Sequence, residues 1–320
     1  MSAKDTINAI EERSLFELAK HDAVAAERSG YSDYSYWRST LAVFLKNRFA
    51  VAALLIMVVL IAFTFMQPFL PNQKDPNLIH INPETGRQLR NVPPSQEYRF
   101  GTNSIGQDLW ARIWLGSRNS LLLALLVSIV RVTVGIVVGA LWGYVRRLDR
   151  LMTELYNVLA NVPTTIVYTL AAYILRPSLR TMIIAMTILG WLPMARFIRN
   201  QVVIIRDREY NLASRCLGTP TSRIISRNIL PYLVSVIMLQ FALAIPLVIG
   251  AEVFLSYIGL GLPYHVPSLG NLVNQGRQLM LIKSLRYQLI YPSIVLSLIT
   301  ISFYVMGNAF SDAADPRTHV

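Results

Sequence analysis

The stretch RDREYNLASRCLGTPTSRIISRNILP, residues 206–231, sets five arginines against Asp207 and Glu209 in a chain that is otherwise strongly apolar. Gly218 fits the position just past a helix end, Thr219 fits an N-cap and Pro220 the first helical position. The stretch therefore predicts two short helices joined by a sharp turn, with Pro231 opening the next element. From Asn228 to Ala251 the chain carries no charge, and three more uncharged runs occupy Phe49–Gln73, Leu155–Leu175 and Tyr287–Ser311. A bilayer core takes about 20 apolar residues per helix, so each run is long enough to cross it.

Composition agrees. Of 320 residues 53% are hydrophobic and 15% charged, with a net charge of +12 and a mean hydropathy of +0.43. Globular domains average about 25% charged residues, so the pattern is that of an all-α, polytopic membrane protein. Cys216 is the only cysteine, which excludes a disulfide scaffold. The basic excess is better read as positive charge retained on one side of a membrane than as a nucleic-acid footprint, and no nucleic-acid partner is expected.

Two further runs complete six expected spans, at about residues 49–70, 119–145, 155–175, 180–198, 231–257 and 287–310. Six crossings place both termini on one side. Eighteen of the 30 Lys and Arg residues fall on that side and 11 on the other, with Arg131 left in a span. The expected topology is N-in, C-in. The expected order is a cytoplasmic segment at 1–48 with an amphipathic helix from Asp5 to Arg28, a transmembrane domain at 49–310, and a tail at 311–320. A cytoplasmic loop at 199–230 carries the cationic hairpin.

Within the spans two ionisable residues stand out. Arg131 and Glu252 are expensive in hydrocarbon, and they are expected either to line a water-filled path or to pair inside the bundle. Gly135, Gly139 and Gly143 form a Gly-x-x-x-Gly repeat that lets helices approach closely, either inside the bundle or against another subunit. Pro163, Pro193, Pro246 and Pro292 are each expected inside a span.

The hairpin resembles the Glu-Ala-Ala motif of bacterial ABC-importer permease subunits, which places Gly six residues after the acid and closes on Leu-Pro; here these are Gly218, Leu230 and Pro231. Phe100-Gly101-Thr102-Asn103 with Gly106 and Asp108 is similar to that family's Phe-Gly-Thr-Asp block. Phe254–Gly261 with Pro267–Asn271 is similar to its outer loop, and Asp312–Arg317 to its C-terminal ending. The combination looks most like the C-type permease subunit of dipeptide and oligopeptide importers, leaning towards the oligopeptide branch of Gram-positive bacteria. Leu212 stands where the motif has its acid, Ser214 where it has its second alanine, Asn228 where a His is usual, and Gln107 where the outer block has Arg.

The resemblance implies a type I ABC-importer permease fold in a bacterial cytoplasmic membrane. It implies a homologous permease subunit, two ABC ATPases and an extracytoplasmic peptide-binding protein as partners. ATP and Mg would then be bound by the ATPases and no cofactor by this chain, which has no Gly-x-x-x-x-Gly-Lys-Ser/Thr loop. Glu209, Leu212, Ala213, Ser214, Arg215, Gly218, Thr219, Pro220 and Arg223 would dock on an ATPase. Gly259, Gly261, Pro267, Gly270 and Asn271 would meet the binding protein. A self-contained secondary transporter or channel is the reading from another class, and a related importer, for a nickel chelate for example, is the reading within it. No catalytic residue and no metal site is expected, because His21, His80, His265 and His319 lack ligand spacing and lie outside the spans.

Overall fold

A computed structural model describes residues 36–314; the helix expected from Asp5 to Arg28 and the residues after Ala314 lie outside them. The first of two compact units, Met1–Ala42, is described only from Tyr36, where helix α1 (Tyr36–Lys46) begins. The second unit, Val43–Val320, holds a helical bundle. Its elements are α2 (Arg48–Met66), α3 (Leu109–Tyr144), α4 (Arg146–Ala160), α5 (Thr164–Leu175), α6 (Leu179–Ile188) and α7 (Leu192–Arg206). There follow α8 (Glu209–Cys216), α9 (Thr221–Ile224), α10 (Leu230–Tyr257), α11 (Leu269–Gln278) and α12 (Tyr287–Ala314). Among the described residues, β-pairing is limited to isolated bridges at Ile81–Gln88 and Thr102–Asp108.

Five helical segments are long and apolar enough to span: Arg48–Phe69, Leu109–Tyr144, Leu179–Arg206, Thr221–Tyr257 and Tyr287–Ala314. The pair α4 and α5 makes a sixth crossing if counted as one span, broken by a 73° bend. Leu55, Val58, Leu170, Ile174, Leu247 and Ile301 show large exposed apolar surfaces on these segments, as a protein solvated by lipid requires.

The boundaries depart from the expected ones for local reasons. The second span starts at Leu109 and not near 119, because Asp108 caps it by accepting from Ala111 N at 3.1 Å. Its 36 residues reach about 54 Å, well beyond a ~30 Å hydrocarbon core, so part of α3 stands outside the bilayer. The expected span at 155–175 is broken at residues 161–163, where Pro163 cannot donate to a continuing ladder. The fourth span runs on to Arg206 and takes the first residues of the expected 199–230 loop into helix. The fifth does not begin at Pro231: its helix is continuous from Thr221 and passes through a π turn at Ile225–Ile229. That widened turn lies where the proline ring would otherwise meet the Arg227 carbonyl. The last span reaches Ala314, four residues into the expected tail. Of the four prolines, Pro246 and Pro292 are inside helices, whereas Pro163 precedes α5 and Pro193 sits in the first turn of α7.

The bundle has two ends. α3, α7 and the start of α9 meet at the hairpin end, where Val132, Ile198, Val202, Ile205, Ile224, Ile229 and Leu233 form one buried cluster. A larger cluster, including Leu123, Val127, Met186, Ile249, Leu269 and Phe303, fills the opposite, loop end. Ala50 of α2 packs with Ala309 and Ala313 of α12, so the described bundle starts and finishes at the hairpin end.

The glycine repeat makes the α3 to α7 contact. A Cβ on Gly135 would lie 2.5 Å from Met194 Cγ, one on Gly143 would lie 2.7 Å from Arg199 O, and one on Gly139 would strike Ala195 O. The repeat therefore packs within this chain.

Candidate functional site

The turn of the hairpin is made by backbone hydrogen bonds. Gly218 has φ +77°, its N–H donates to Arg215 O at 3.0 Å, and Thr219 N–H donates to Ser214 O at 3.1 Å. These two bonds are the Schellman pair that satisfies the end of α8. Beyond it the N-cap is Pro220 and the first helical residue is Thr221, one position later than Thr219 and Pro220 were expected to play those parts. Pro220 cannot cap through a side chain, and Thr219 is used in the Schellman turn.

Asn211, which sequence reasoning passed over, holds the two arms together. It is fully buried; its Nδ2 donates to Ile205 O at 2.9 Å, and its Oδ1 accepts from Asn228 Nδ2 at 3.2 Å. Asn228 Nδ2 also reaches Ser214 Oγ at 3.4 Å. Two departures from the family motif, Ser214 and Asn228, are therefore partners of each other.

Most of the residues expected to dock on an ATPase face out, whereas Ile224, Ile225 and Ile229 are buried. Glu209, Leu212, Ala213, Arg215, Gly218, Pro220 and Arg223 are exposed, Thr219 is half-buried, and Leu217 is 86% exposed. Glu209 in the first turn and Arg215 in the last complement the dipole of α8. Arg206 Nη1 donates to Gly143 O at 2.7 Å, and Asp207 lies between Arg206 (3.2 Å) and Arg146 (3.4 Å). Slight burial works against ionisation of Asp207, but the hydrogen bond and charge of Arg206, then those of Arg146, hold its carboxyl below the usual value. Arg199 grips Asp149 of α4 through two bonds of 2.9 and 2.8 Å.

In the middle of the bundle Arg131 donates twice to Met186 O, at 2.9 and 2.7 Å, and once to Tyr168 OH at 3.0 Å. Its side chain ties α3 to α5 and to the end of α6. Arg131 and Glu252 are not brought together: the partners of Glu252 are at the loop end, where it is 0% exposed.

At the loop end the Phe100–Asp108 block folds as a series of turns leading into α3. Thr102 Oγ1 donates to Leu89 O at 2.6 Å, and Asn103 Oδ1 accepts from Ile105 N and Gln107 N. Burial pushes the Asp108 carboxyl above its ordinary value, against the bond from Ala111 N–H. Arg112, also missed from sequence, is fully buried and donates to Pro76 O, Asn77 Oδ1 and Tyr264 O. Asn119 Nδ2 donates to Pro267 O at 2.7 Å, and Gly116 lies against Ser268. Arg112, Gly116 and Asn119 recur every three or four residues, so one stripe of α3 supports the loop at Tyr264, Pro267 and Ser268.

Of the five residues expected to meet a binding protein, Gly259 is exposed with φ +82°, while Gly261, Pro267, Gly270 and Asn271 are buried within this chain. A Cβ on Gly270 would lie 2.7 Å from Glu252 Oε1, and Asn271 Nδ2 donates to Leu262 O at 2.6 Å. Those four hold the loop; the surface it offers is made by Tyr257, Ile258, Tyr264 and His265. Among the described residues no group of His, Cys, Asp and Glu could hold a metal ion.

Residues 132–320 match the family described as binding-protein-dependent transport system inner membrane component, and residues 35–94 match the N-terminal TM domain of oligopeptide transport permease C. The chain belongs to the first of these families, the membrane-embedded permeases of ABC transporters, and is a multi-pass protein of the cytoplasmic membrane. It is 37% identical over 308 residues to the oligopeptide transport system permease protein AmiD of Streptococcus pneumoniae, covering 96% of this chain and 98% of that one. It is 34% identical over 273 residues to the dipeptide transport system permease protein DppC of Bacillus subtilis, covering 85% and 83%. To the oligopeptide transport system permease protein OppC of the same organism it is 31% identical over 308 residues, covering 95% and 97%.

Proposed function

We propose that this chain is a transmembrane permease subunit of an ATP-driven oligopeptide importer. It forms the translocation path with a homologous subunit and is fed by an extracytoplasmic peptide-binding protein. ATP and Mg are bound by two partner ATPases, and this chain catalyses nothing and binds no cofactor. The hairpin end is cytoplasmic. The observation that carries this reading is the asymmetry of the hairpin: one side is locked into the bundle through Asn211, Ile224 and Ile229, while Leu212, Cys216 and Leu217 stand exposed on the other. A rigid cationic knob with an apolar outer face suits a cleft on a soluble partner that drives the bundle. The relatives named for oligopeptide transport, which align along nearly the whole chain, support the substrate class.

The mechanism is mechanical. An ATPase pair that closes on ATP moves α8, which is joined through the Gly218 turn to α9, and α9 runs on into α10, the helix that crosses the bilayer. Reconstituting the chain in proteoliposomes with the partners that co-purify tests the reading. ATP-dependent uptake of a labelled oligopeptide supports it. Solute movement by this chain alone without ATP overturns it in favour of a channel or secondary transporter, and uptake of a nickel chelate in place of peptide overturns the substrate class.

A further inference from the structure

Glu252, like Arg112, is fully buried, and its partners are donors. Its Oε1 accepts from Ser256 Oγ at 2.9 Å and Ser268 Oγ at 2.6 Å; its Oε2 accepts from Ser120 Oγ and the Gly270 N–H, each at 3.3 Å. Two of those serines accept in turn: Ser120 Oγ from Leu269 N–H and Ser268 Oγ from Asn271 N–H, each at 3.1 Å. The first three N–H groups of α11 thus end on one carboxylate, directly or through a hydroxyl. A helix start has these donors unpaired and carries a partial positive charge, which accounts for an ion with no cation in its shell.

The carboxylate stands on α10, five residues before its end at Tyr257, and α10 is one continuous helix with Thr221 of the hairpin. Pulling α11 away from α10 would strand a buried charge and three helix donors together. The two must move as one body.

We propose that Glu252 is a positioning residue for transport: it is the joint through which α10 delivers a displacement of the hairpin to α11 at the loop end. This rests on the reading of the chain as an ATP-driven permease. The joint links α10 and α11 with α3, through Ser120, and Gly270 is required there because any side chain would occupy the place of the carboxylate oxygens.

The test uses the full transporter in proteoliposomes with Glu252→Gln, which keeps the shape but replaces one doubly accepting oxygen by a donor. Complex yield and basal ATP hydrolysis are expected to stay within about twofold of the parent. Peptide taken up per ATP falls by about tenfold or more, and amide exchange at residues 269–272 accelerates by a similar factor, as the loss of one or two hydrogen bonds to a charge implies. A purely structural role would lower the yield of complex and leave uptake per ATP in assembled complexes unchanged. Parent-like uptake per ATP, or unchanged exchange at 269–272, overturns the proposal. If Glu252→Gln does not assemble, Ser268→Ala, which removes one hydroxyl of the relay, is judged by the same two readings. If the parent complex itself takes up no peptide, the functional reading has failed, and the exchange measurement, which needs no substrate, decides the joint.

Discussion

Asn228 donates its side-chain amide to Asn211 Oδ1 at 3.2 Å, across the mouth of the hairpin, although the two residues are 17 apart in sequence. Asn211 passes the connection to Ile205 O, so the last turn of α7, the first arm and the second arm share one buried amide. Replacing Asn211 with Ala leaves the Ile205 carbonyl and the Asn228 amide without that partner, at a cost of about 1–3 kcal/mol. Faster amide exchange and faster protease nicking between Cys216 and Thr221 are the expected outcomes. Unchanged exchange would show that the apolar anchors Ile224 and Ile229 suffice.

Gly218 makes the turn at φ +77°, and a Cβ there meets no described atom within 4 Å. The constraint is therefore conformational and not steric. Gly218→Val is expected to cost about 1–2 kcal/mol or more and Gly218→Asn far less, since Asn tolerates the left-handed region. Uptake per ATP in proteoliposomes should fall for Val and be largely kept for Asn. Equal behaviour of the two would remove the turn from the mechanism.

Gly139 is limited in the opposite way, by the Ala195 carbonyl and by Ile198 Cβ at 2.8 Å. Gly139→Ala should destabilise the bundle by about 1–3 kcal/mol and Gly139→Leu should abolish folding, because α3 and α7 cannot separate without opening the hairpin-end core. Fluorescence size-exclusion of detergent extracts measures this directly. A monodisperse Leu variant would contradict the packing.

Arg131 is spent on protein partners, with two bonds to Met186 O and one to Tyr168 OH. Tyr168→Phe removes one of the three and should cost about 1 kcal/mol; Arg131→Met strands the Met186 carbonyl and should cost at least twice as much. Arg131→Lys should fall between them, since one ammonium cannot reproduce the planar fork. Thermal unfolding in detergent gives the order.

Asp207 sets a pH dependence at the hairpin end. Its folded carboxyl is held below the ordinary value by Arg206 and Arg146, so the bonds it makes are present above the unfolded pKa and lost as pH falls through the depressed folded one. Hairpin protection in amide exchange should be flat through neutral pH and decline only under acid conditions, and Asp207→Asn should abolish that decline.

The sequence determined whatever depends on neighbours along the chain. Uncharged runs gave the spans because the bilayer reads hydropathy over about 20 residues, and Gly218 gave the turn because few other residues sit at positive φ. The glycines at 135, 139 and 143 announced a close approach by their spacing alone. The breaks were less legible: the 73° bend at Pro163, the π turn before Pro231 and the helical start at Leu109 each depend on how a proline or a cap is accommodated by what packs around it.

Only the tertiary structure decided partners. Arg131 and Glu252 were visible as costly charges, but nothing local could show that one would close on Met186 and Tyr168 and the other on Ser120 and the start of α11, up to 132 residues away. Arg112 and Asn211 looked like ordinary polar residues until folding buried them, Arg112 against the distant Tyr264 carbonyl and Asn211 between the Ile205 carbonyl and the Asn228 amide of the other arm. Hydropathy and helix period fix which residues leave water and which share a face; which donor meets which acceptor is settled by how the helices cross, and that is a property of the packed bundle.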